Sequence, residues 1–334
     1  MLRTFGGSLA TNLATLAVAL ILLWRFLVFA RRLGVRFPYV VAASLAVTPV
    51  FAIATTSTVD YLWSLLGLVL FVELLLGGRL VLAILPAAFA FAIRSANGPL
   101  IAGAIVGAFL ISPRRALRLI GVGLAAAVLG GLPMIESYRL ANYTFAFTHA
   151  LAGPDVMWSA RMRVGRFVYK LLYLFGPVAI VLLGSTLLHR RAKMAFSQSD
   201  YSRRAVPLFL GIIAANGILF LCYPIEIGYL VPAAFFLLLL VGMKVDQRPV
   251  AIATLLAILS LNFVTPQLAQ PDTPGHATGA SFHPSLEPGI LIADIRLRLK
   301  LRQCEDYRCY FLVVHPGSHG MDYTGPVPLR TPMK

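Results

Sequence analysis

The residues best suited to chemistry fall in separate stretches of the chain. In TTSTVDYLWSLL (55–66), Asp60 follows a run of hydroxyl residues and opens an apolar segment. A carboxylate there can take a proton from a substrate hydroxyl or hold a metal ion. The competing reading is a helix start, with Ser57 or Thr58 as cap and the carboxylate favoured by the macrodipole. In AIRSANGPL (92–100), Arg94 and Asn97 stand beside a Gly–Pro break. An arginine at a membrane rim either snorkels toward lipid phosphates or offers its planar fork to a phosphate-bearing substrate. In YPIEIGYLVP (223–232), two prolines bracket a short turn carrying Glu226 and Tyr229; Tyr229 alone also fits an interfacial aromatic belt.

A long outer loop is expected at about 135–166, carrying Glu136, Tyr138, Arg139, Tyr143, His149, Asp155 and Trp158, then Arg161, Arg163 and Arg166. These arginines either attract anionic headgroups or clamp a departing phosphate or pyrophosphate. Arg25 and Glu73 lie inside apolar runs but near their ends. There a structural role is expected, with Arg25 snorkelling and Glu73 paired to Arg79. The chain carries no P-loop, no GxGxxG after a strand and no HExxH. His276, His283, His315 and His319 lack a tight metal spacing, so no metal ligands are assigned, and a divalent cation stays open as a cofactor. Cys304 and Cys309 pair if the tail faces an oxidising compartment.

The elements that must hold these residues follow from composition. The chain has 334 residues, 59% of them hydrophobic and 13% charged, with a mean hydropathy of +0.82. Soluble domains carry roughly 25% charged residues. The net charge of +16 would suggest nucleic acid in a soluble protein, but here the basic residues punctuate apolar runs, as topology determinants do. A polytopic α-helical membrane protein without a nucleic-acid partner is expected. Apolar runs at about 8–30, 39–56, 60–78, 80–94, 99–112, 117–134, 167–188, 205–222, 229–243 and 249–264 give eight to ten transmembrane helices, the shorter ones inside the bundle.

Alternating sides puts Arg31, Arg32, Arg36, Arg79, Arg114, Arg115, Arg118, Arg190, Arg191, Lys193, Arg203, Arg204, Lys244 and Arg248 in one set of loops. They outnumber Arg3, Arg94, Arg139, Arg161, Arg163, Arg166 and Lys170 opposite, so the first set is assigned to the cytoplasm. Both termini then face outward, as do Asp60, Glu136, Asp155 and Glu226. An outward N-terminus so close to the first helix leads to the expectation that a further helix and outer loop are missing before Met1. The membrane body is assigned to 1–264. An extracytoplasmic tail, 265–334, opens with the Pro/Gly-rich PQLAQPDTPGHATGASFHPSLEPG as linker. Alternation over Ile292–Leu301 and the run YFLVVHPG then predict strands of a small α/β or β subdomain.

TTSTVDYLWSLLGLVLFVELLLGGRLVLAILPAAFAFAIRSANGP resembles the middle of GT-C superfamily integral-membrane glycosyltransferases, and PIEIGYLVPAAFFLLLL resembles a later segment of the same superfamily. The resemblance spans roughly 10–245. It implies an inner-membrane enzyme that takes a sugar from a polyprenyl-phosphate donor and passes it to an extracytoplasmic glycan, lipid or protein acceptor. A carboxylate would act as base on the acceptor hydroxyl, with Asp60 lining the site and Arg94, Glu226 and Tyr229 shaping the donor pocket. The superfamily's principal acidic residue lies in a first outer loop that this chain lacks, so a truncated or inactive form is also expected. Two other classes remain open: a multi-spanning transporter or flippase, and a non-catalytic membrane subunit.

Overall fold

The computed structural model describes residues 2–48, 51, 54–55, 60–140, 164–165, 167, 199–222, 227–243, 248–249, 251–252, 254–255, 264–268 and 280–284. Helices dominate: α1 (Leu2–Arg32), α2 (Pro38–Ala46), α3 (Tyr61–Leu76), α4 (Leu80–Ile93), α5 (Asn97–Ile111), α6 (Ala116–Leu140), α7 (Asp200–Cys222) and α8 (Val231–Gly242). Glycine sets two of the boundaries. Gly34 and Gly78 have φ of 74° and 72°, the left-handed conformation that closes a helix C-terminus. The wrap-around bonds of that motif follow, from Val35 N–H to the Ala30 carbonyl and from Arg79 N–H to the Leu74 carbonyl, both at 2.9 Å.

Three helical segments are long and apolar enough to cross a bilayer: Leu13–Arg32, Pro113–Pro133 and Asp200–Cys222. Leu117, Ile120, Leu124, Val128 and Leu132 line one exposed face of α6, an apolar stripe that water would penalise and lipid would not. The expected segments at 60–78, 80–94, 99–112 and 229–243 are helical too, but shorter. Runs of 14 to 16 residues in α3, α4 and α5 rise only about 21–24 Å, against roughly 30 Å of hydrocarbon. Three of the expected spans thus have helices of crossing length, four are shorter helices, and in the span expected at 39–56 helix α2 stops at Ala46. The segment 168–188 lies outside the described residues, as do the strands expected at 292–301 and after Tyr310. Within the stretch read as linker, Val264–Leu268 and Ala280–Pro284 pair as an antiparallel ribbon, β1–β2.

The core joins α1, α7 and α8 through aromatic rings. Phe26 meets Phe235 edge-on at 5.0 Å, Phe235 meets Phe236 at 5.2 Å, and Phe236 meets Phe209 at 4.9 Å. Phe209 closes the chain onto Phe29 at 5.8 Å. Elsewhere small residues bring backbones together. A side chain on Gly67 would meet the Pro86 carbonyl of α4, and one on Gly103 or Gly107 of α5 would strike the backbone of α7. Such contacts are how helices associate where lipid removes the hydrophobic drive between them.

Ion pairs fix both ends of α3, which is buried along most of its length. At its C-terminal end Glu73 pairs with Arg25 at 3.2 Å and with Arg32 at 3.4 Å, both from α1. Arg32 also lies 5.9 Å from the Tyr201 ring of α7. Both charges take the structural role expected of them, but with each other: Glu73 pairs with Arg25 and Arg32 of α1, and not with Arg79 as expected. Glu73→Gln leaves two arginines without their anion. With one of them half-exposed, a loss of about 1–2 kcal/mol is expected, measured as a lower thermal midpoint in detergent. An unchanged midpoint would mean that α1 and α3 are held by packing alone.

Candidate functional site

The opposite end of α3 gathers the polar residues that the sequence singled out. Arms of 16 and 14 residues make α3 and α4 a hairpin whose open ends meet, and these ends carry Asp60 and Arg94. The Arg94 guanidinium donates to the Asp60 carboxylate at 2.5 Å. It lies 3.9 Å from the centre of the Tyr61 ring and 4.8 Å from that of Tyr229, and the two rings meet edge-on at 6.3 Å. One cation thus joins the start of α3, the break between α4 and α5, and the 3-10 turn Ile227–Leu230 that leads into α8.

Burial separates the two charges. The Arg94 side chain is 14% exposed, whereas that of Asp60 is 44% exposed. The Arg94 charge is answered by the Asp60 carboxylate and by the faces of two tyrosine rings. Asp60 occupies the N-cap position of α3 and makes no side-chain capping bond; Ser57 and Thr58, the caps expected from the sequence, lie outside the described residues. Desolvated cation–π contacts are worth about 2 kcal/mol or more, and two of them keep Arg94 compensated away from water. What this leaves at the surface is a carboxylate held at a fixed position.

A cleft beside the pair is lined by Tyr61, Ser64, Arg94, Asn97, Asn216 and Tyr229, with Leu100, Leu219 and Pro232 as apolar walls. Asn97 is 3% exposed, and its side-chain N–H donates to the Ala90 carbonyl at 2.9 Å, closing the end of α4. The Asn216 side chain reaches from α7 to the Tyr229 carbonyl at 2.8 Å. Gly228 has to be glycine because any side chain would strike the Tyr61 ring. Among the residues assigned from sequence, the structure therefore brings together Asp60, Arg94, Asn97 and Tyr229. Glu226, Arg161, Arg163 and Arg166 lie outside the described residues.

Tyr61 and Asn216 join the site without having been singled out. Tyr61 follows Asp60 directly and could have been read as a ring beside a candidate charge. Asn216 is an amide within the apolar stretch 205–222 of α7, a costly residue to bury without a purpose. Among the described residues, no group of three or more His, Cys, Asp or Glu side chains could hold a metal ion.

Fold and site together define the class: an α-helical protein with three apolar helices able to cross a membrane and a charged, tyrosine-lined cluster at one end of its short central helices. No family model, curated protein or solved structure matches the chain.

Proposed function

We propose that this chain is a membrane glycosyltransferase-like protein of the GT-C type, moving a sugar from a polyprenyl-phosphate donor to an extracytoplasmic glycan, lipid or protein acceptor. The observation that carries this reading is the Asp60 carboxylate: partly exposed, beside a tyrosine- and asparagine-lined cleft, and oriented by a buried arginine. In the reaction the acceptor hydroxyl gives its proton to Asp60 as its oxygen bonds to the anomeric carbon, and the donor's phosphate departs with the electrons of the broken C–O bond. Glu226 and the basic run Arg161, Arg163 and Arg166 belong to the donor side, where cations stabilise the leaving phosphate. The placement proposed is the inner membrane, with the Asp60–Arg94 end and both termini outside the cytoplasm, on the strength of the loop-charge asymmetry.

The test is product analysis in cells carrying the chain at matched membrane abundance. Asp60→Asn is expected to lower lipid-linked or acceptor-linked glycan by about 100-fold or more, the usual size of a general-base contribution; Asp60→Glu should retain part of it. Equal product from wild type and Asp60→Asn removes the assignment. A transporter or flippase is the second reading, favoured by short helices that meet at the Arg94–Ala96 break, as discontinuous helices do around transport sites. Against it, Asp60 and Glu73 stand toward the ends of α3 and not at its middle. Solute or lipid flux in proteoliposomes without sugar transfer would reverse the order.

A further inference from the structure

Helix α1 has two unlike faces. Leu22, Phe26 and Phe29 are buried in the core, whereas Leu13, Leu20 and Trp24 are exposed. These exposed residues and Arg31 follow one another at intervals of 7, 4 and 7, which at 3.6 residues per turn sets them on one line along the helix. The line reads as an apolar stripe, then an indole, then a cation. By helical rise Leu20 stands about 16 Å from Arg31, close to the hydrocarbon depth of one leaflet, about 15 Å.

The cation at the head of this line is held in place. Gly34 reverses the chain after α1, and Tyr39, in the first turn of α2, comes back to Arg31. The Arg31 guanidinium donates to the Tyr39 hydroxyl and lies 5.2 Å from the centre of the same ring. That bond uses one guanidinium N–H and leaves the hydroxyl its own proton to give. Tyr39 is 63% exposed, and Arg31 and Arg36 are exposed as well. The carboxylates are engaged elsewhere: Glu73 with Arg25 and Arg32, Asp200 with Arg204, Asp60 with Arg94. Among the described residues, none pairs with Arg31 or Arg36. The α1–α2 corner therefore presents oriented donors and positive charge, with no anion of its own. A cation at a helix C-terminus is also favoured by the macrodipole, but that role asks nothing of Tyr39 or of the stripe.

We propose that this line binds an anionic phospholipid. Its phosphate accepts from the Arg31 guanidinium and the Tyr39 O–H, and an acyl chain lies along Trp24 and Leu20. An arginine fork matches phosphate oxygens in pairs, and Arg36 adds attraction for a net negative headgroup. A soluble phosphate would meet the donors but leave the stripe uncovered. The loop-charge asymmetry assigns this end to the cytoplasm, the leaflet whose anionic lipids attract juxtamembrane cations. The site lies at the Glu73 end of α3, away from Asp60 and Arg94, and requires no transfer chemistry.

The experiment places the full chain in phosphatidylcholine vesicles doped with brominated phosphatidylglycerol or, at equal mole fraction, with brominated phosphatidylcholine. Bromine quenches tryptophan on contact, so excess quenching by the anionic lipid reads its preference for the site. Wild type should prefer phosphatidylglycerol about fivefold, equivalent to about 1 kcal/mol for one arginine. Trp24→Phe removes the reporter and should remove that excess, which separates Trp24 from Trp63 and Trp158. Arg31→Gln should bring the preference close to parity. Tyr39→Phe keeps the charge and should lower the preference in part. Equal quenching by the two lipids overturns the proposal, as does an excess that survives Trp24→Phe. An excess unchanged in Arg31→Gln or in Tyr39→Phe also overturns it, because the basic rim as a whole would then attract the lipid. An excess that dissolved glycerol phosphate competes away would make the ligand a free phosphate and sink the lipid. If neither lipid quenches Trp24, a second copy or another segment of this chain covers the face, and the proposal falls. Should Arg31→Gln fail to fold, Tyr39→Phe still decides.

Discussion

Gly211→Ala is expected to cost about 3 kcal/mol or more and to abolish most of the folded, monodisperse protein recovered in detergent. The added methyl would run into the Gly103 carbonyl, and a methyl on Gly103 would run into the Gly211 carbonyl in return. Both obstacles are backbone, so no rotamer change relieves them. Overpacking ordinarily costs about 1–3 kcal/mol; this case belongs at the top of that range because two helices must separate to make room. The damage would spread, since Gly107 packs just as closely against Pro207 one turn further along the same seam. Gly217→Ala, on the same helix as Gly211, is the control. A methyl there meets nothing within 4 Å, and replacing glycine by alanine within a helix gains roughly 0.5–1 kcal/mol. Size-exclusion profiles and thermal midpoints of the two variants should therefore diverge in opposite directions from wild type. If they coincide, α5 and α7 do not approach as closely as this seam requires.

That seam was written in the sequence as GAIVG, glycines four apart in an apolar run, yet spacing alone does not name the helix that fills the groove. The helix boundaries were more legible. Gly34 and Gly78 end their helices by backbone conformation, a local property that the residue type declares. Long-range pairing was less so. Proximity along the chain points Glu73 to Arg79, but the Gly77–Gly78 reversal carries Arg79 into the next helix, while packing of α1 against α3 delivers Arg25 and Arg32. Loop parity puts Asp60 and Arg94 at the same end of the bundle without pairing them. Their meeting depends on the nearly equal arms of the α3–α4 hairpin, which composition does not encode. Asn216 is hidden because its partner is the main-chain carbonyl of Tyr229, and the proline pattern that marks the turn does not say which side chain its backbone will accept.

Breaking the Asp60–Arg94 pair should have the second large effect, and a double-mutant cycle can separate its structural part from its chemical part. Asp60→Asn leaves a guanidinium that is 14% exposed with ring faces but no anion. A fully buried ion losing its partner costs about 3–5 kcal/mol; since Asp60 itself is 44% exposed, water softens the loss to about 1–3 kcal/mol. Arg94→Gln removes the pair and both cation–π contacts together, so a loss of about 2–4 kcal/mol is expected. In the double variant the losses should fall short of additive by about 1–3 kcal/mol, the coupling typical of residues in direct contact. Strict additivity would mean that the two side chains do not act on one another. Arg94→Lys sharpens the reading, since a lysine keeps the charge but cannot stack a planar fork between two rings; it should recover only part of the stability lost in Arg94→Gln. Activity then divides the roles of Asp60. If the carboxylate serves only to neutralise Arg94, product per folded molecule stays constant across the cycle. If it takes the acceptor's proton, product per folded molecule collapses in Asp60→Asn and in the double variant alike, however much stability the second substitution recovers.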